Sequence, residues 1–566
     1  MLSCFLFQVL AILGGSGCGK TLLLRTLAGR PLNPHHFIAT GTIALNYGQF
    51  YRSGEWHRKI GFVQRNDELY PKLTVKETIL YAARLKMNSE NDEKCKDRTE
   101  TLLKTWKIDH LANVYIETID NEMLSIGNRK RVAIAVHTVH SPNVLFLDEP
   151  TVGLDPRREE ALIEDLNTFA RETGTIVILT INPVRVNIYD NFAHLMILCH
   201  GQTVFFGTLK DALWYFQSIC KFPFLKYQNF SDYLLNIVTL KLDETENFHG
   251  DLDRLRQRLR IKWDTYRHLF FHEPRTYQQP IPNESVHNWP NSFARELKHL
   301  IKREFLGQMR DYPPIIFNAL QRFVVFTLLS FIYFQIQTYP IRYGLRIRFG
   351  LLIFITVNQA SLILAMLVPS IGYIRPIIVR ERLAFTYRIS SIYLAKIISE
   401  LPLNILTTIG YGFIIYYVTG LRSGFNHFLV FIAILILEVY AVMGLGFLVS
   451  CCAKTRQIRD ILSILVFLII FMFGGNQIQN RLETSWIIRW FQFLSPVFYA
   501  YLALLRNELE GNFIQGIPGD IFLIEYKAKI FSIWTCAGIL FGLGSVYFII
   551  GYLALRTTTK SRRFIF

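Results

Sequence analysis

Residues 14–21 read GGSGCGKT, preceded by the apolar segment QVLAIL and followed by LLLRTLAG. They match G-x-x-x-x-G-K-[ST], a pattern whose glycines let backbone N–H groups approach phosphate oxygens. Lys20 is expected to reach the β and γ phosphates of a nucleotide, and Thr21 to offer its hydroxyl to Mg²⁺. A strand before the loop and a helix after it predict an α/β nucleotide-binding domain. The residues predicted to bind nucleotide here are Gly14, Gly15, Ser16, Gly17, Cys18, Gly19, Lys20 and Thr21.

The segment NVLFLDE, residues 143–149, is an apolar strand that ends in two carboxylates. Asp148 is expected to hold Mg²⁺ together with Thr21, and Glu149 to act as the catalytic base that orients and polarises water. A buried strand with two exposed acids is the simpler interpretation, but the phosphate loop upstream disfavours it. The turn that follows ends at Asp155 and is placed to touch a second copy of the domain.

Composition divides the chain into two parts. Its 566 residues exceed one hydrophobic core, so two or more domains are expected. Hydrophobic residues make up 51% of the chain and concentrate in residues 316–556. The net charge of +17 is typical of a membrane protein with Lys and Arg on its cytoplasmic face. A nucleic-acid partner is disfavoured because the basic residues fall in short loops between apolar runs.

Six apolar runs predict membrane helices, each of which needs about 20 residues. The basic loops after the second and fourth runs, and the basic tail, lie on the same side as the N-terminal half, which places that half in the cytoplasm. The first outer loop departs from this rule because it carries Arg342, Arg346 and Arg348. The predicted spans are 316–337, 349–370, 397–419, 428–452, 461–477 and 530–555.

Polar side chains interrupt these apolar runs. Glu438 lies in the middle of the fourth run, and a carboxylate inside a membrane is a functional candidate by default. The alternative, that it faces the helix bundle protonated or paired with a polar neighbour, is equally open. Asn358 and Gln359 either bond between helices or meet a substrate, and packing is slightly favoured.

The order of these motifs resembles an ATP-binding cassette (ABC) transporter: a phosphate loop, a serine-glycine signature, LFLDEPTVGLD (145–155), then a membrane half. A nucleotide domain that comes first resembles the G subfamily (white/brown) of half-transporters. Residues 379–402 and 485–513 are similar to the family's elbow and re-entrant outer segment, and 229–238 to the motif that closes the nucleotide domain.

The resemblance covers nearly the whole chain and implies its fold class. That class is an α/β P-loop ATP-binding cassette domain followed by an all-α six-helix transmembrane domain of the ABCG, type II exporter-like kind. It implies a nucleotide domain at 1–238, a linker and connecting helix at 239–312, with the helix near 290–312, and a membrane domain at 313–566. It also implies ATP and Mg²⁺ as cofactors and function as a dimer.

The signature departs from the family pattern Ser-Gly-Gly-Glu-Arg. In the family this segment presses its backbone and serine against the γ-phosphate held by the partner's phosphate loop. A branched side chain in place of the first glycine hinders that close approach. The residues at these positions, which would act on the partner's site, are Ser125, Ile126, Gly127 and Asn128.

Further departures affect the site built on this chain's own loop. The family's Mg²⁺-contacting glutamine falls on Arg65, with Gln64 one place early; arginine can neutralise phosphate charge but cannot ligate a metal. Asn182 replaces the histidine that senses the γ-phosphate, and asparagine carries no positive charge. The family's strands and adenine platform before the loop are missing, which favours an incomplete gene model over weaker adenine binding.

The membrane half also differs from drug-exporting relatives. Ser361 stands where they place a ring-stacking phenylalanine, and their apolar exit plug falls on Asn476 and Gln477. Flat aromatic drugs are therefore a poor expectation for the cargo. The residues proposed for the substrate path are Asn358, Gln359, Ser361, Glu438, Asn476 and Gln477.

The leading hypothesis is a half-transporter subunit that uses ATP binding and hydrolysis to export an apolar or amphipathic small molecule. Because Arg65 and Asn182 weaken one site of a dimer while Ile126 and Asn128 weaken the other, a heterodimer with a second G-subfamily half-transporter is favoured over a homodimer. The alternative is a subunit that binds ATP, hydrolyses it weakly, and serves a structural or regulatory role. A P-loop GTPase fused to an anchor is excluded, since six spans exceed an anchor and no Asn-Lys-X-Asp is present.

The expected location is a membrane crossed several times, with lipids as neighbours and the nucleotide domain in the cytoplasm. The plasma membrane is the default, and an intracellular vesicle membrane is the alternative.

Overall fold

The computed structural model describes residues 8–30, 53–66, 68–87, 91–117, 124–182, 188–222, 233, 251–269, 289–338, 341–453, 455–474, 486–514, 517–525 and 531–559. The chain forms two compact units. The first comprises Met1–His299, Val379–Arg388 and Ser561–Phe566, and the second Leu300–Ile378 and Ile389–Lys560. The predicted domain borders at 238 and 312 stay predictions, and the closing motif at 229–238 lies outside the described residues except for Tyr233.

A mixed six-stranded sheet organises the first unit, with strand order β2-β3-β4-β1-β5-β6. The first five strands pair in parallel, and β6 joins β5 in antiparallel fashion. β1 to β4 are buried along their whole length, as expected for parallel strands covered on both faces. The strands are β1 Val9–Gly14, β2 Ile60–Val63, β3 Val144–Leu147, β4 Ile176–Thr180, β5 His194–Cys199 and β6 Gln202–Gly207.

Helices surround this sheet. Trp106 and Phe169, from the segments after α4 and within α6, stack at 5.2 Å between ring centroids in its core. The helices are α1 Lys20–Leu27, α2 Ser53–Lys59, α3 Val75–Lys86, α4 Asp92–Thr105, α5 Ile126–Thr138, α6 Pro156–Thr173, α7 Leu209–Trp214, which continues as a π-helical turn at Tyr215–Ile219, and α8 Asp251–Tyr266. Helix α9, Phe293–Arg310, occupies the region of the predicted connecting helix.

Parallel pairing decides where the candidate site lies. The carboxyl ends of neighbouring parallel strands meet at one edge of a sheet, where ligands of such folds bind. The phosphate loop follows β1, Arg65 follows β2, Glu149 follows β3 and Asn182 follows β4. Because these strands are neighbours, all the segments lie along the same edge.

The second unit is helical. Its core is built where α13 and α18 pack closely: a Cβ added to Gly444 would lie 2.7 Å from the carbonyl oxygen of Gly544, so only a small residue fits. A short hairpin pairs Phe513–Ile514 with Ile517–Pro518. The helices are α10 Tyr312–Ile332, α11 Ile341–Leu383, α12 Ile389–Thr419, α13 Phe425–Cys452, α14 Arg456–Phe473, α15 Trp486–Phe493, α16 Pro496–Leu509, α17 Gly519–Glu525 and α18 Ile533–Thr558.

Among the described residues, five helices are long and apolar enough to cross a membrane, and the predicted count of six stays a prediction. They are Tyr312–Thr338, Tyr343–Leu383, Ile389–Thr419, Phe425–Cys452 and Ile533–Thr558. The predicted span 461–477 falls on α14 and runs past residue 474 into undescribed sequence. Helix α14 begins with Arg456, Arg459 and Asp460, so its described apolar part spans only about 20 Å, less than a bilayer core.

The arginines of the predicted first outer loop lie in the first turns of α11. Arg348, 7% exposed, pairs with Glu508 of α16 at 3.4 Å between Nη1 and Oε1. Neutralisation by a buried carboxylate explains how this arginine departs from the orientation rule.

Candidate functional site

The phosphate loop is shaped by its glycines. Gly17 and Gly19 have φ of 77° and 99°, in the left-handed region that favours glycine. A Cβ on Gly14 would lie 2.6 Å from the carbonyl oxygen of Leu198, so no side chain fits there. The loop turns directly into the N-terminus of α1 at Lys20. The arrangement exposes backbone N–H groups and a helix N-terminus to one point, which is suited to phosphate.

Lys20 is buried at this loop. Its ammonium donates to the carbonyl oxygens of Gly14 at 2.7 Å and Gly15 at 3.1 Å, and the residue is 5% exposed. The ammonium of Lys20 therefore lies within the loop that the sequence predicts to bind phosphate.

Asp148 lies at the centre of the carboxyl edge. Its Oδ1 accepts hydrogen bonds from the Thr21 hydroxyl at 2.9 Å and from the Thr180 hydroxyl at 3.0 Å. Thr180 also accepts a hydrogen bond from the backbone N–H of Glu149 at 2.8 Å. Sequence reasoning missed Thr180, although it ends the strand that lies between β1 and β3.

Thr21 and Asp148 are suited to the implied Mg²⁺. Their oxygens are hard donors held 2.9 Å apart, and Mg²⁺ is typically bound through one or two protein oxygens plus substrate phosphates. The donor set fits the metal.

Glu149 adopts an uncommon backbone conformation, with φ of 45°. Its carboxylate is largely buried and lies 3.1 Å, Oε2 to Nε, from Arg65, whose side chain is 57% exposed. The register of β2 and β3 explains this pair: Val63 is opposite Leu147, so the residues two places further along each strand are neighbours. The predicted catalytic base is therefore paired with the residue at the family's glutamine position.

The backbone of this arginine segment is fixed by Lys130, another residue that sequence reasoning missed. Lys130 lies on α5 and donates to the carbonyl oxygens of Arg65 and Gln64. Hydrogen bonds from this lysine therefore connect α5, the helix that begins with the signature segment, to the segment after β2.

The signature segment, residues 125–128, forms the start of α5. The Ser125 hydroxyl caps the helix by accepting from the Asn128 N–H at 3.4 Å. Ile126 is 56% exposed, and its Cδ1 lies 3.4 Å from where a Cβ on Gly153 would stand. A Cβ on Gly127 would lie 3.4 Å from Leu154 Cδ2. The structure thus brings the signature segment against the turn that leads to Asp155.

Two other predicted site residues have simpler surroundings. Asp155, before α6, forms an exposed ion pair with Arg158 at 3.3 Å. Asn182 is half-buried and follows Ile181, whose N–H extends the pairing of β4 with β1 by donating to the Ile12 carbonyl at 3.1 Å.

The proposed substrate-path residues lie on different helices of the second unit. Gln359 is buried and donates to the Leu435 carbonyl on α13 at 2.9 Å, whereas Asn358 bonds to Phe354 of its own helix. The Ser361 hydroxyl donates to the Asn358 carbonyl at 2.8 Å. Glu438 is fully buried, and neither carboxyl oxygen has a hydrogen-bond partner among the described residues. Asn476 and Gln477 lie outside the described residues.

Two family models match the sequence. The ABC transporter model matches residues 2–152, and the ABC-2 type transporter model matches residues 295–509. The predicted fold class, a P-loop cassette domain followed by a helical transmembrane domain, is confirmed by these matches together with the sheet and the apolar helices.

Known proteins align over most of the chain. ABC transporter G family member 21 of Arabidopsis thaliana is 28% identical over 518 residues, covering 88% of this chain and 75% of that protein. The broad substrate specificity ATP-binding cassette transporter ABCG2 of Bos taurus is 26% identical, with 90% and 79% covered. ABC transporter G family member 25 of Arabidopsis thaliana is 26% identical, with 97% and 85% covered.

Proposed function

We propose that this chain, an ATPase coupled to transmembrane transport, is a half-transporter of the G subfamily of ABC transporters that exports an apolar or amphipathic small molecule as one chain of a heterodimer. It is an integral membrane protein that crosses the bilayer several times. The cargo class is supported by the apolar helices of the second unit. The plasma membrane is the location we propose.

In this proposal the phosphate loop and Lys20 hold the phosphates of ATP. Thr21 and Asp148 hold Mg²⁺, which, when bound, neutralises phosphate charge. Glu149 orients the attacking water and accepts its hydrogen bond. Thr180 fixes both acids by bonding to the Asp148 carboxylate and the Glu149 backbone.

One observation supports the proposal most directly. Both acids that follow β3, Asp148 and Glu149, are in place, yet the carboxylate of Glu149 is paired with Arg65. A guanidinium beside a carboxylate competes for the oxygen that a water would approach. We therefore expect the site built on this chain's phosphate loop to bind ATP well and to hydrolyse it slowly. The presence of both Asp148 and Glu149 favours a site that hydrolyses ATP, and the ion pair with Arg65 favours slow hydrolysis.

The dimer proposal rests on the signature segment. Ile126 replaces a glycine and is largely exposed at the start of α5, where the family requires close backbone approach. A partner with an unaltered signature would complete the site on this chain's loop. Two copies of this chain would combine a slow loop site with a hindered signature at both positions.

The second candidate function is a regulatory subunit that binds ATP without useful hydrolysis. The other departures from the family pattern favour it, because Ile126 at the exposed start of α5 and Asn182 in place of the histidine would suppress turnover even after Arg65 is removed. The two functions differ in whether removal of Arg65 restores hydrolysis.

The test is Mg-ATP hydrolysis by the full chain in lipid nanodiscs, comparing wild type with Arg65→Gln and Glu149→Gln. Arg65→Gln is expected to raise turnover about tenfold, because it frees a general base that contributes at least that much. The double variant should remain at the background of Glu149→Gln. The matched control is Arg157→Gln, an exposed arginine on α6, which should leave the rate unchanged.

ATP affinity, measured separately with a fluorescent analogue, should be similar in all these chains. An Arg65→Gln rate at or below wild type, with ATP still bound, would contradict the inhibitory role of the ion pair and favour the regulatory subunit.

A further inference from the structure

A groove opens between α10 and α12 of the second unit, with a volume of about 530 Å³. That volume lies in the range of small-molecule sites in proteins. Its walls are mostly apolar, and the outer residues Ile316, Leu320 and Phe323 are each at least half exposed. On the inner side Tyr411 stacks on Phe326, with ring centroids 4.0 Å apart, and closes the groove toward the helix bundle. The groove therefore opens outward from the bundle.

Arg322 lies in this apolar groove although its helix is a candidate membrane span. It is about 15 Å along α10 from the first residue of the helix, and the residue is 5% exposed. Its guanidinium donates to the Thr407 hydroxyl and to the Asn404 side-chain oxygen, both at 2.8 Å.

Both partners of this guanidinium are neutral. Among the described residues, no carboxylate lies within ion-pair distance of Arg322, whereas Arg348 of the same unit pairs with Glu508. A charge inside a membrane span costs free energy unless it is paired or hydrated. A negative charge at the groove would therefore be stabilised.

We propose that this groove binds one anionic lipid of the bilayer, with its headgroup against Arg322 and an acyl chain along the apolar wall. Charge complementarity selects the headgroup, and the exposed apolar rim selects a chain that arrives from the membrane. Neither the acids of the nucleotide site nor the residues of the proposed substrate path line the groove. The lipid site does not depend on the proposed export function.

Gly410 gives a direct way to test occupancy. It lines the groove, and a Cβ built on it would have no neighbour within 4 Å, so Gly410→Leu fills the groove without disturbing the wall. Gly538 on α18 is the matched control because its Cβ position is equally open and it does not line the groove. Gly538→Leu makes the same chemical change on another membrane helix.

The full chain is reconstituted in mixed phosphatidylcholine and phosphatidylglycerol, extracted mildly, and examined by native mass spectrometry. Wild type and Gly538→Leu are expected to retain one phosphatidylglycerol per chain, and Gly410→Leu to lose at least about fivefold of that occupancy, because the leucine side chain displaces buried methylene groups of the acyl chain while Arg322 is unchanged. Equal retention by Gly410→Leu and Gly538→Leu would overturn the site.

Arg322→Gln tests the charge separately, because glutamine keeps a donor for Thr407 and Asn404. It should reduce the preference for phosphatidylglycerol over phosphatidylcholine about fivefold and leave total lipid retention nearly unchanged. Wild type that retains both lipids in proportion to the mixture would overturn the anionic assignment. Neither readout uses ATP hydrolysis, so failure here is distinguishable from failure of the proposed function.

Discussion

The phosphate loop and the signature segment belong to one unit but differ in what surrounds them. Lys20 and Asp148 are 5% and 2% exposed, and their polar atoms bond to groups of the same sheet edge. Ile126 of the signature segment is 56% exposed, and Ser125 serves its own helix as a cap. The loop is organised by this chain alone, whereas the signature segment presents its surface outward.

This difference indicates where sequence change is tolerated. A change at the loop would disturb the bonds of Lys20 to the loop carbonyls or those of Asp148 to Thr21 and Thr180, so these residues are fixed by the fold as well as by the chemistry. A change at Ile126 alters an exposed surface, which we propose is completed by another chain. The altered signature is therefore compatible with an intact cassette fold.

The largest effect is expected for Lys20→Met, which removes the buried charge from the loop. ATP affinity of the full chain should fall about 10- to 150-fold, since charge-assisted hydrogen bonds contribute about 1.5–3 kcal/mol. Binding of a fluorescent ATP analogue measures this. Lys104→Met, an exposed lysine on α4, is the control and should bind normally. A loss of affinity of similar size in both variants would contradict a specific role of Lys20 in ATP binding.

An intermediate effect is expected at the signature segment. Ile126→Gly restores the family's glycine, and in an Arg65→Gln background it should raise ATP turnover about tenfold, because one more backbone donor can approach the developing charge. Steady-state hydrolysis in nanodiscs is the measurement.

Ile126→Leu keeps a bulky side chain and is the matched comparison, with a much smaller change expected. A fall in turnover for Ile126→Gly would show that the contact with the Gly153 turn matters more than close approach.

Much of the fold was predictable, because the phosphate loop, the acidic strand and the long apolar runs are local patterns. The Arg65–Glu149 pair was not, since it depends on β2 and β3 being neighbours in one register, and a sequence does not state which strands pair. Thr180 was missed for the same reason. The predicted span 461–477 stays a prediction, because α14 is described only as far as Phe473.

The smallest effect is a pH dependence of stability. It should differ between α5, which begins with the signature segment, and α1, which follows the phosphate loop. His137, in α5, is 2% exposed; burial, together with the nearby cations Lys86, Arg380 and Arg30, lowers the pKa of its imidazole well below the usual value. The unfolded state then takes up a proton that the folded state does not, so stability falls as pH drops below about 6.5.

From pH 7 to pH 6 the loss should be about 0.7 kcal/mol for this histidine. Hydrogen exchange, corrected for its intrinsic pH dependence, should show faster opening of α5 at pH 6 and little change in α1, which carries the phosphate-loop lysine. His137→Gln should reduce the pH effect without abolishing it, because burial also lowers the pKa of the neighbouring His140, to about 3, and His110→Gln, an exposed histidine, should preserve the full effect. Equal acceleration of α1 and α5 would mean that the signature helix and the phosphate loop open as one unit, because the protonation of a residue buried in α5 would then destabilise both.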